Sequence, residues 1–356
     1  EDRTVVTSIT KPRIHIPKLE RNALGLTRMD YEGSMSTLCA GCGHDSITAA
    51  LTHAFFELAL PPHRAVKLSG IGCSSKTTAY FLSQAHGFNG VHGRMPAVAS
   101  GANAAHRELT YIGISGDGDS LSIGLGQLCH AIRRNVNMLY VLENNGVYGL
   151  TKGQFSASSD VGSKSKKGEY NEDGTIEPVA MAMALGATFV ARSFSGDKEQ
   201  LVPIMMAGLP HRGFAFVDGL SPCVTFNDHE GSTKSYTFIR KSNSEVVGAG
   251  FVPTQEEIST RYDPGSVCPV TMHDGTTLYL RKVDASYDPT DRSAAYAYLK
   301  ERQDRGEIAT GMLYIQEDSA DLHAREETVA TPLRDLPFES LCPGAAALED
   351  LMDEYI

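Results

Sequence analysis

The apolar positions of this chain switch between a period of two and a period of three to four residues, and the switches predict strands and helices in turn. Residues 111–115 read as a buried strand. Leu121, Leu125, Leu128 and Ile132 then recur at helical spacing, giving one apolar face over 120–134. A second apolar run, 136–142, has strand length and β-branched content. The result is a β-α-β unit with polar residues at both strand ends. Gly116-Asp117-Gly118-Asp119 follows the first strand, and Glu143-Asn144-Asn145-Gly146-Val147-Tyr148 follows the second.

The same alternation extends in both directions. A helix is expected over 46–60, capped by Asp45 and stopped by Pro61-Pro62, then a strand over 66–71. A short helical stretch at 77–84 and a small-residue helix at 96–106 precede the central unit. After it come a helix at 178–185, a strand at 187–192, a helix at 197–207 and a strand at 213–219. Alternation from about 38 to 223 predicts an α/β fold with a doubly wound, mainly parallel sheet. Residues 1–36, with Pro12, Pro17 and mixed charges, predict an extended arm. The tract 151–175 predicts a long loop. From about 236 the pattern changes to a strand at 278–283 after an Asp-Gly turn, a helix at 292–305 capped by Asp291, and an amphipathic helix at 346–355. The expected division is an arm (1–36), a main domain (37–235) and an extension (236–356) that packs on the core or on a partner.

Composition narrows the class. The 356 residues suffice for a full core, and 41% hydrophobic with 21% charged content is ordinary for a globular protein. A net charge of −11 argues against nucleic-acid binding, which needs a basic face, and gives no support to attachment at an anionic membrane. The longest apolar run, 179–191, is shorter than the about 18 residues of a membrane helix. No signal-peptide pattern opens the chain, so a cytoplasmic location is expected. Seven cysteines, an odd number, make a disulfide framework a poor reading and ligation of a metal or cluster a better one for any close pair.

The two polar strand ends carry readable chemistry. In open parallel sheets ligands sit beyond the carboxyl ends of the strands, so Asp117 and Asn145 are expected to face one crevice. An Asp carboxylate, an Asn carbonyl and a backbone carbonyl two residues on form an oxygen-only set suited to Mg²⁺ shared with phosphates. The glycines let the backbone approach, and a helix opening at Gly118-Asp119 aims its free N–H groups at an anion. Either half alone would be an ordinary turn; the two together, on these elements, favour a site. Separately, Cys39-Ala-Gly-Cys42 forms a C-x-x-C loop, while Cys73 and Cys223 end two predicted strands. Four thiolates at one sheet edge would hold Zn²⁺ or a [4Fe–4S] cluster, and a C-x-x-C redox pair is a third option. Cys129, inside a helix, reads as a core residue; Cys268 and Cys342 have no evident partners.

Gly-Asp-Gly followed by Asn-Asn resembles the thiamine-diphosphate motif, which implies Mg²⁺ held by Asp117, Asn145 and the main-chain oxygen of Val147. A longer series is more specific. Cys-x-Gly-Cys-Gly-His at 39–44, Ile-Gly-Cys-Ser-Ser-Lys at 71–76, His-Gly-Arg at 92–94, the motifs at 116–119 and 143–154, and Ser-Pro-Cys-Val-Thr-Phe-Asn at 221–227 occur in one order. Over roughly 36 to 240 the chain resembles the β subunit of the 2-oxoacid:ferredoxin oxidoreductases.

The resemblance implies that Cys39, Cys42, Cys73 and Cys223 ligate one [4Fe–4S] cluster close to thiamine diphosphate. It implies cofactor contacts from Ile71, Gly72, Cys73, Ser74, His92, Gly118, Asp119, Gly149 and Leu150. Lys76 matches a position that holds the substrate carboxylate, and Leu150 one that lines the substrate pocket; Arg94 would meet a distal carboxylate or a neighbouring backbone. The family reaction converts a 2-oxoacid, coenzyme A and oxidised ferredoxin to acyl-CoA, CO₂ and reduced ferredoxin, and it can run in reverse. In two-subunit members the coenzyme A site and the glutamate that activates thiamine lie on an α subunit. The expectation is therefore a heterodimer, or a dimer of heterodimers, in which this chain alone is inactive. Length and the C-terminal extension most resemble the enzymes of 2-oxoglutarate, with pyruvate open. Lys164, Lys166 and Lys167 offer a ferredoxin-docking patch, against the plainer reading of a solvated loop. A non-redox thiamine decarboxylase, or a zinc-binding or electron-transfer scaffold subunit, is the competing class.

Overall fold

A computed structural model describes residues 19–151, 153–163, 169–221, 223, 258–271, 277–342 and 344–355. The expected arm up to Lys18, the lysines at 164, 166 and 167, and the Asp-Gly turn at 274–275 lie outside the described residues.

Strands β1 (Ala65–Ser69), β2 (His86–Asn89), β3 (Thr110–Gly116) and β4 (Met138–Asn144) are followed by a small hairpin, β5 (Val147–Tyr148) and β6 (Gln154–Phe155). Then come β7 (Phe189–Phe194), β8 (Phe214–Leu220), β9 (Val267–Thr271), β10 (Thr277–Lys282) and β11 (Glu307–Ile315). All but the hairpin join one nine-stranded sheet in the order β2-β1-β3-β4-β8-β7-β11-β10-β9. The first six of these are mutually parallel, as the alternation of elements predicts. β11 then runs antiparallel to β7, and β9 antiparallel to β10. The sheet thus continues past its six parallel strands into residues 267–315.

Side chains on β4 alternate between two cores, the strand period of two at work. Met138, Tyr140 and Leu142 join a cluster with helices α3 (Met95–Ala105), α4 (Leu125–Arg133) and α5 (Pro178–Ala184). Leu139 and Val141 join the opposite cluster with α1 (Gly43–Glu57) and α6 (Lys198–Gly208). Tyr140 stacks between Phe214 and Phe216 of β8, centroids 5.7 and 6.0 Å away. With both faces covered, the central strands are largely apolar, and their polar residues gather toward the carboxyl ends, with Lys67 in mid-β1 and Arg192 within β7 as exceptions.

Several boundaries differ from the expectation. Helix α1 begins at Gly43, with Cys42 as its N-cap, because the turn closed by Cys42 N to Cys39 O (3.0 Å) already sets the helical path. His44 and Asp45 therefore lie in its first turn. The stretch 77–84 is helical only as α2 (Ser74–Thr77), and Leu82 takes a positive φ of 46°. The helix over 120–134 opens as a π-turn, Gly118–Ile123, with Gly124 N bonded to Asp119 O at 2.8 Å, before α4. β2 is exposed along its length, so no apolar pattern announced it. β11 carries Thr310 and Gly311 in mid-strand, which broke the alternation. Helix α7 (Arg292–Asp304) stands as expected, with Asp291 accepting from Ser293 N and Ala294 N at 2.8 and 3.0 Å.

Candidate functional site

β1, β3, β4 and β8 are neighbours and parallel, so their four carboxyl ends open on one edge. The chain leaves β1 into Gly70-Ile71-Gly72-Cys73, β3 into Asp117, β4 into Asn145, and β8 into Ser221 and Cys223. Strand order does what spacing alone could not: it brings four sequence-distant motifs side by side.

One cleft lies along this edge. Ile71, Gly72, Cys73 and Ser74 line it from β1, His92 from the loop after β2, and Asp117, Gly118 and Asp119 from β3. Asn145, Val147, Gly149 and Leu150 line it from β4. Every residue expected against the cofactor diphosphate or its metal is thus in one cavity. His44, Gly116, Tyr148 and Thr151 complete its wall.

Asp119 ties the elements together. Its Oδ1 accepts from His92 Nδ1 (2.6 Å) and Gly93 N (2.8 Å), and more distantly from Ile71 N (3.4 Å); its Oδ2 accepts from the Ser115 hydroxyl at 2.8 Å. One buried carboxylate therefore fixes the ends of β1 and β3 and the loop after β2. Asp117 is 1% exposed, and burial raises its pKa against the opposing pull of hydroxyls from Ser156 and Ser158. Asn145 bends back on itself, its Oδ1 accepting from Val147 N at 3.0 Å. Gly118 packs against the Tyr148 ring so closely that a Cβ would stand 2.5 Å from it, and the Tyr148 hydroxyl donates to Gly118 O at 3.1 Å.

The cysteines form the second half. A Cβ on Gly149 would lie 3.4 Å from Cys73 Sγ and 3.8 Å from Cys223 Sγ, so two sulfurs from opposite sides of the crevice meet over one glycine. Burial raises the Cys42 and Cys73 thiols above their ordinary range; the field of Cys223 adds to both, and that of Cys39 to Cys73. Mutual crowding of this kind is what a cationic centre relieves, because a coordinating thiol is deprotonated by its metal. Among the described residues, no three Cys, His, Asp or Glu side chains stand at distances that by themselves would hold a metal ion. All seven cysteines are thiols rather than disulfides.

Near these thiols, close enough for its charge to act on Cys42 and Cys73, lies a buried polar group the sequence did not single out. Glu143 is wholly buried, and neither carboxylate oxygen has a hydrogen-bond partner among the described residues. Burial, with Asp45 adding to it, raises its pKa well above the carboxylate range. His44 Nε2 is 3.8 Å from it, while His44 Nδ1 pairs closely with the Ser221 hydroxyl. Burial lowers the His44 pKa to about 4, so the ring is neutral at pH 7.

Lys76 is exposed on the last turn of α2, outside the cleft lining, though near enough for its charge to lower the Cys73 thiol. Arg94 is exposed and donates to Gln127 Oε1 at 2.8 Å, across to α4. Leu150 is half exposed at the cleft mouth.

Residues 70–219 match the thiamine pyrophosphate enzyme C-terminal TPP-binding domain. The 2-oxoglutarate synthase subunit KorB of Methanocaldococcus jannaschii is 34% identical over 189 residues, which cover 53% of this chain and 69% of that one. The chain belongs to the family of 2-oxoacid:ferredoxin oxidoreductase β subunits. Identity rises to 43% over 201 residues with the β subunit from Saccharolobus solfataricus (56% of this chain, 65% of that one). It is 40% over 208 residues with the 2-oxoglutarate oxidoreductase subunit KorB of Mycobacterium tuberculosis (58% and 54%). The matched part of this β subunit spans about half to two thirds of the length of these two relatives. Its fold is similar to a 2-oxoglutarate:ferredoxin oxidoreductase from Magnetococcus marinus solved with 2-oxoglutarate, coenzyme A and succinyl-CoA bound. The TM-score is 0.68 at 27% identity, over 88% of this chain and 92% of that one. Among the described residues no helix is long and apolar enough to cross a membrane.

Sequence reasoning missed Ser156 and Ser158, which hold Asp117, and Ser115, which holds Asp119. Ser156 and Ser158 sit in a polar tract whose composition is that of any loop, and Ser115 is one small residue at the end of an apolar strand, so only their folded position distinguishes them.

Proposed function

We propose that this chain is the cofactor-bearing β subunit of a 2-oxoacid:ferredoxin oxidoreductase that acts on 2-oxoglutarate. The observation that carries the reading is the junction at Gly149, where the β4 end that follows Asn145 meets the sulfurs of Cys73 and Cys223. A diphosphate site and a thiol site thereby share one short loop.

In this reading Asp117, Asn145 and the Val147 carbonyl hold Mg²⁺, and the π-turn from Gly118 offers its leading N–H groups to the diphosphate. The oxygen-only donor set suits that ion. Cys39, Cys42, Cys73 and Cys223 hold a [4Fe–4S] cluster; the sulfurs of Cys73 and Cys223 both border Gly149, and the fields of Cys39 and Cys223 reach Cys73, which suits such a group. Thiamine diphosphate, when bound, supplies the electron sink that decarboxylation of a 2-oxoacid requires. Ile71, Gly72, Ser74, His92, Asp119 and Leu150 shape the wall against it. Asp119 acts on backbone position, since its oxygens are engaged by N–H and hydroxyl donors from three elements. Lys76, exposed on α2 three residues past Cys73, meets the substrate carboxylate. Arg94 is the weaker choice for a distal carboxylate because Gln127 already accepts from it.

The partners in this reading are an α subunit, which brings the coenzyme A site and the activating glutamate, and ferredoxin as electron acceptor. The setting is cytoplasmic, in keeping with seven thiols. The test is anaerobic purification followed by assay. The chain is expected to be brown, with iron and sulfide in equal amounts, and inactive alone. With its α subunit it reduces ferredoxin on 2-oxoglutarate and coenzyme A faster than on pyruvate. Zinc without iron would replace this reading with a non-redox thiamine enzyme, and turnover by the isolated chain would remove the need for the α subunit.

A further inference from the structure

A polar chain crosses the sheet behind the cleft. Arg192 of β7 is buried; its Nε donates to Asp218 Oδ2 at 2.7 Å, and its Nη2 pairs closely with Glu177 Oε1. Glu177 also caps α5, its Oε2 accepting from Ala180 N at 2.6 Å. Asp218 of β8 accepts from Asn144 Nδ2 of β4 through its other oxygen, at 3.1 Å. Ser158 Oγ lies 3.0 Å from Asn144 Oδ1 and 2.8 Å from Asp117 Oδ2, where Ser156 Oγ also donates at close range. The single Ser158 proton is shared between Asp117 Oδ2, the nearer acceptor, and Asn144 Oδ1, so polar contacts run from a guanidinium on β7 through this three-centre bond to the carboxylate that follows β3.

Two features make this more than packing. The chain is asymmetric at Asp117: two hydroxyls crowd Oδ2, whereas Oδ1 is met by the Asn145 amide at 3.5 Å. It is also built from buried charge, with Asp218 wholly buried beside Arg192. A buried ion pair contributes little net stability, so its use lies in fixing geometry. Each oxygen of Asp218 has its own donor, and that fixes Asn144 in the orientation that presents Oδ1 to Ser158.

We propose that Ser158, Asn144, Asp218 and Arg192 are positioning residues that hold Asp117 through Oδ2 and so leave Oδ1 to the metal of the diphosphate site. The inference rests on the Mg²⁺–diphosphate reading above. Partners of this kind orient a ligand before the ion arrives, and their loss costs about 10–100-fold in metal affinity.

The experiment uses the complex of this chain with its α subunit, freed of Mg²⁺ and thiamine diphosphate by chelation. Calorimetry of thiamine diphosphate binding at a series of Mg²⁺ concentrations gives the half-saturating Mg²⁺. Ser158→Ala is expected to raise it about tenfold without lowering the melting temperature of the ligand-free complex, and Ser158→Thr to restore it. Asp218→Asn is expected to give a similar rise, and the double variant no more than the larger single effect, because the two act through one chain. Should Asp218→Asn fail to fold, the Ser158 pair carries the test by itself. A half-saturating Mg²⁺ indifferent to Ser158→Ala, or effects of the two changes that add, overturns the inference. No binding by the unvaried complex at any Mg²⁺ overturns the diphosphate reading and this inference with it.

Discussion

The sulfurs of Cys73 and Cys223 meet at Gly149, although one follows β1 and the other β8 and two strands lie between them in the sheet. Any side chain at 149 enters the space those sulfurs border. At 3.4 and 3.8 Å a methyl group is in ordinary contact with the thiols, so Gly149→Ala is expected to leave the stability of the metal-free chain within about 0.5 kcal/mol. Gly149→Val should lower the iron and sulfide content after anaerobic reconstitution. Full iron loading of the valine variant would show that no cluster occupies this space.

The cysteines divide into two sets. Replacement by serine at 39, 42, 73 or 223 is expected to abolish or sharply reduce iron binding, whereas Cys129, Cys268 and Cys342 should be indifferent. Iron and sulfide assays on the seven single variants check this. Retained iron in the Cys223→Ser variant would remove the β8 end from the site.

Asp119 should matter to folding as well as to the cleft. Asp119→Ala leaves Gly93 N and the Ser115 hydroxyl without their acceptor in a buried setting, for a loss of about 2–3 kcal/mol in denaturant unfolding. Asp119→Asn keeps an acceptor for Gly93 N and should lose less.

Lys67 on β1 is buried, with Nζ donating to the carbonyls of Phe81 and Leu82 at 2.6 and 2.8 Å. It pins the turn in which Leu82 takes its positive φ. Burial lowers its pKa to about 8 from an ordinary 10.5. The folded chain then releases this proton before the unfolded chain does, so between about pH 8 and 10.5 the unfolded state binds more protons and stability rises with pH. Below pH 8 the contribution is flat. The difference in unfolding free energy between the native chain and Lys67→Met, measured from pH 7 to 10.5, should grow in favour of the native chain above pH 8. A difference independent of pH would mean that the ammonium is held without penalty.

Much of this was legible before the fold. Alternation of period predicted the parallel α/β sheet, because a strand covered on both faces must be apolar throughout and polar residues are pushed to its ends. The motifs at 116–119 and 143–148 were readable for that reason: Asp117 and Asn145 are the first polar residues after a buried strand. β2 was not legible, being exposed along its length, nor was β11, whose mid-strand Thr310 and Gly311 interrupt the pattern. The opening of the 120–134 helix as a π-turn escaped as well, since helical periodicity does not distinguish one extra residue per turn.

What the sequence by itself determined is the inventory: which residue types stand at which strand ends, and hence the family. Strand order was left to the tertiary structure. The order β1-β3-β4-β8 set Cys73 against Cys223 and lined up polar contacts from Arg192 through Asp218 and Asn144 to Ser158 and Asp117, pairings that join residues far apart in the chain. Local periodicity records which face of an element is buried. It holds no record of which element lies beside it, and contacts between strands depend on that neighbour alone.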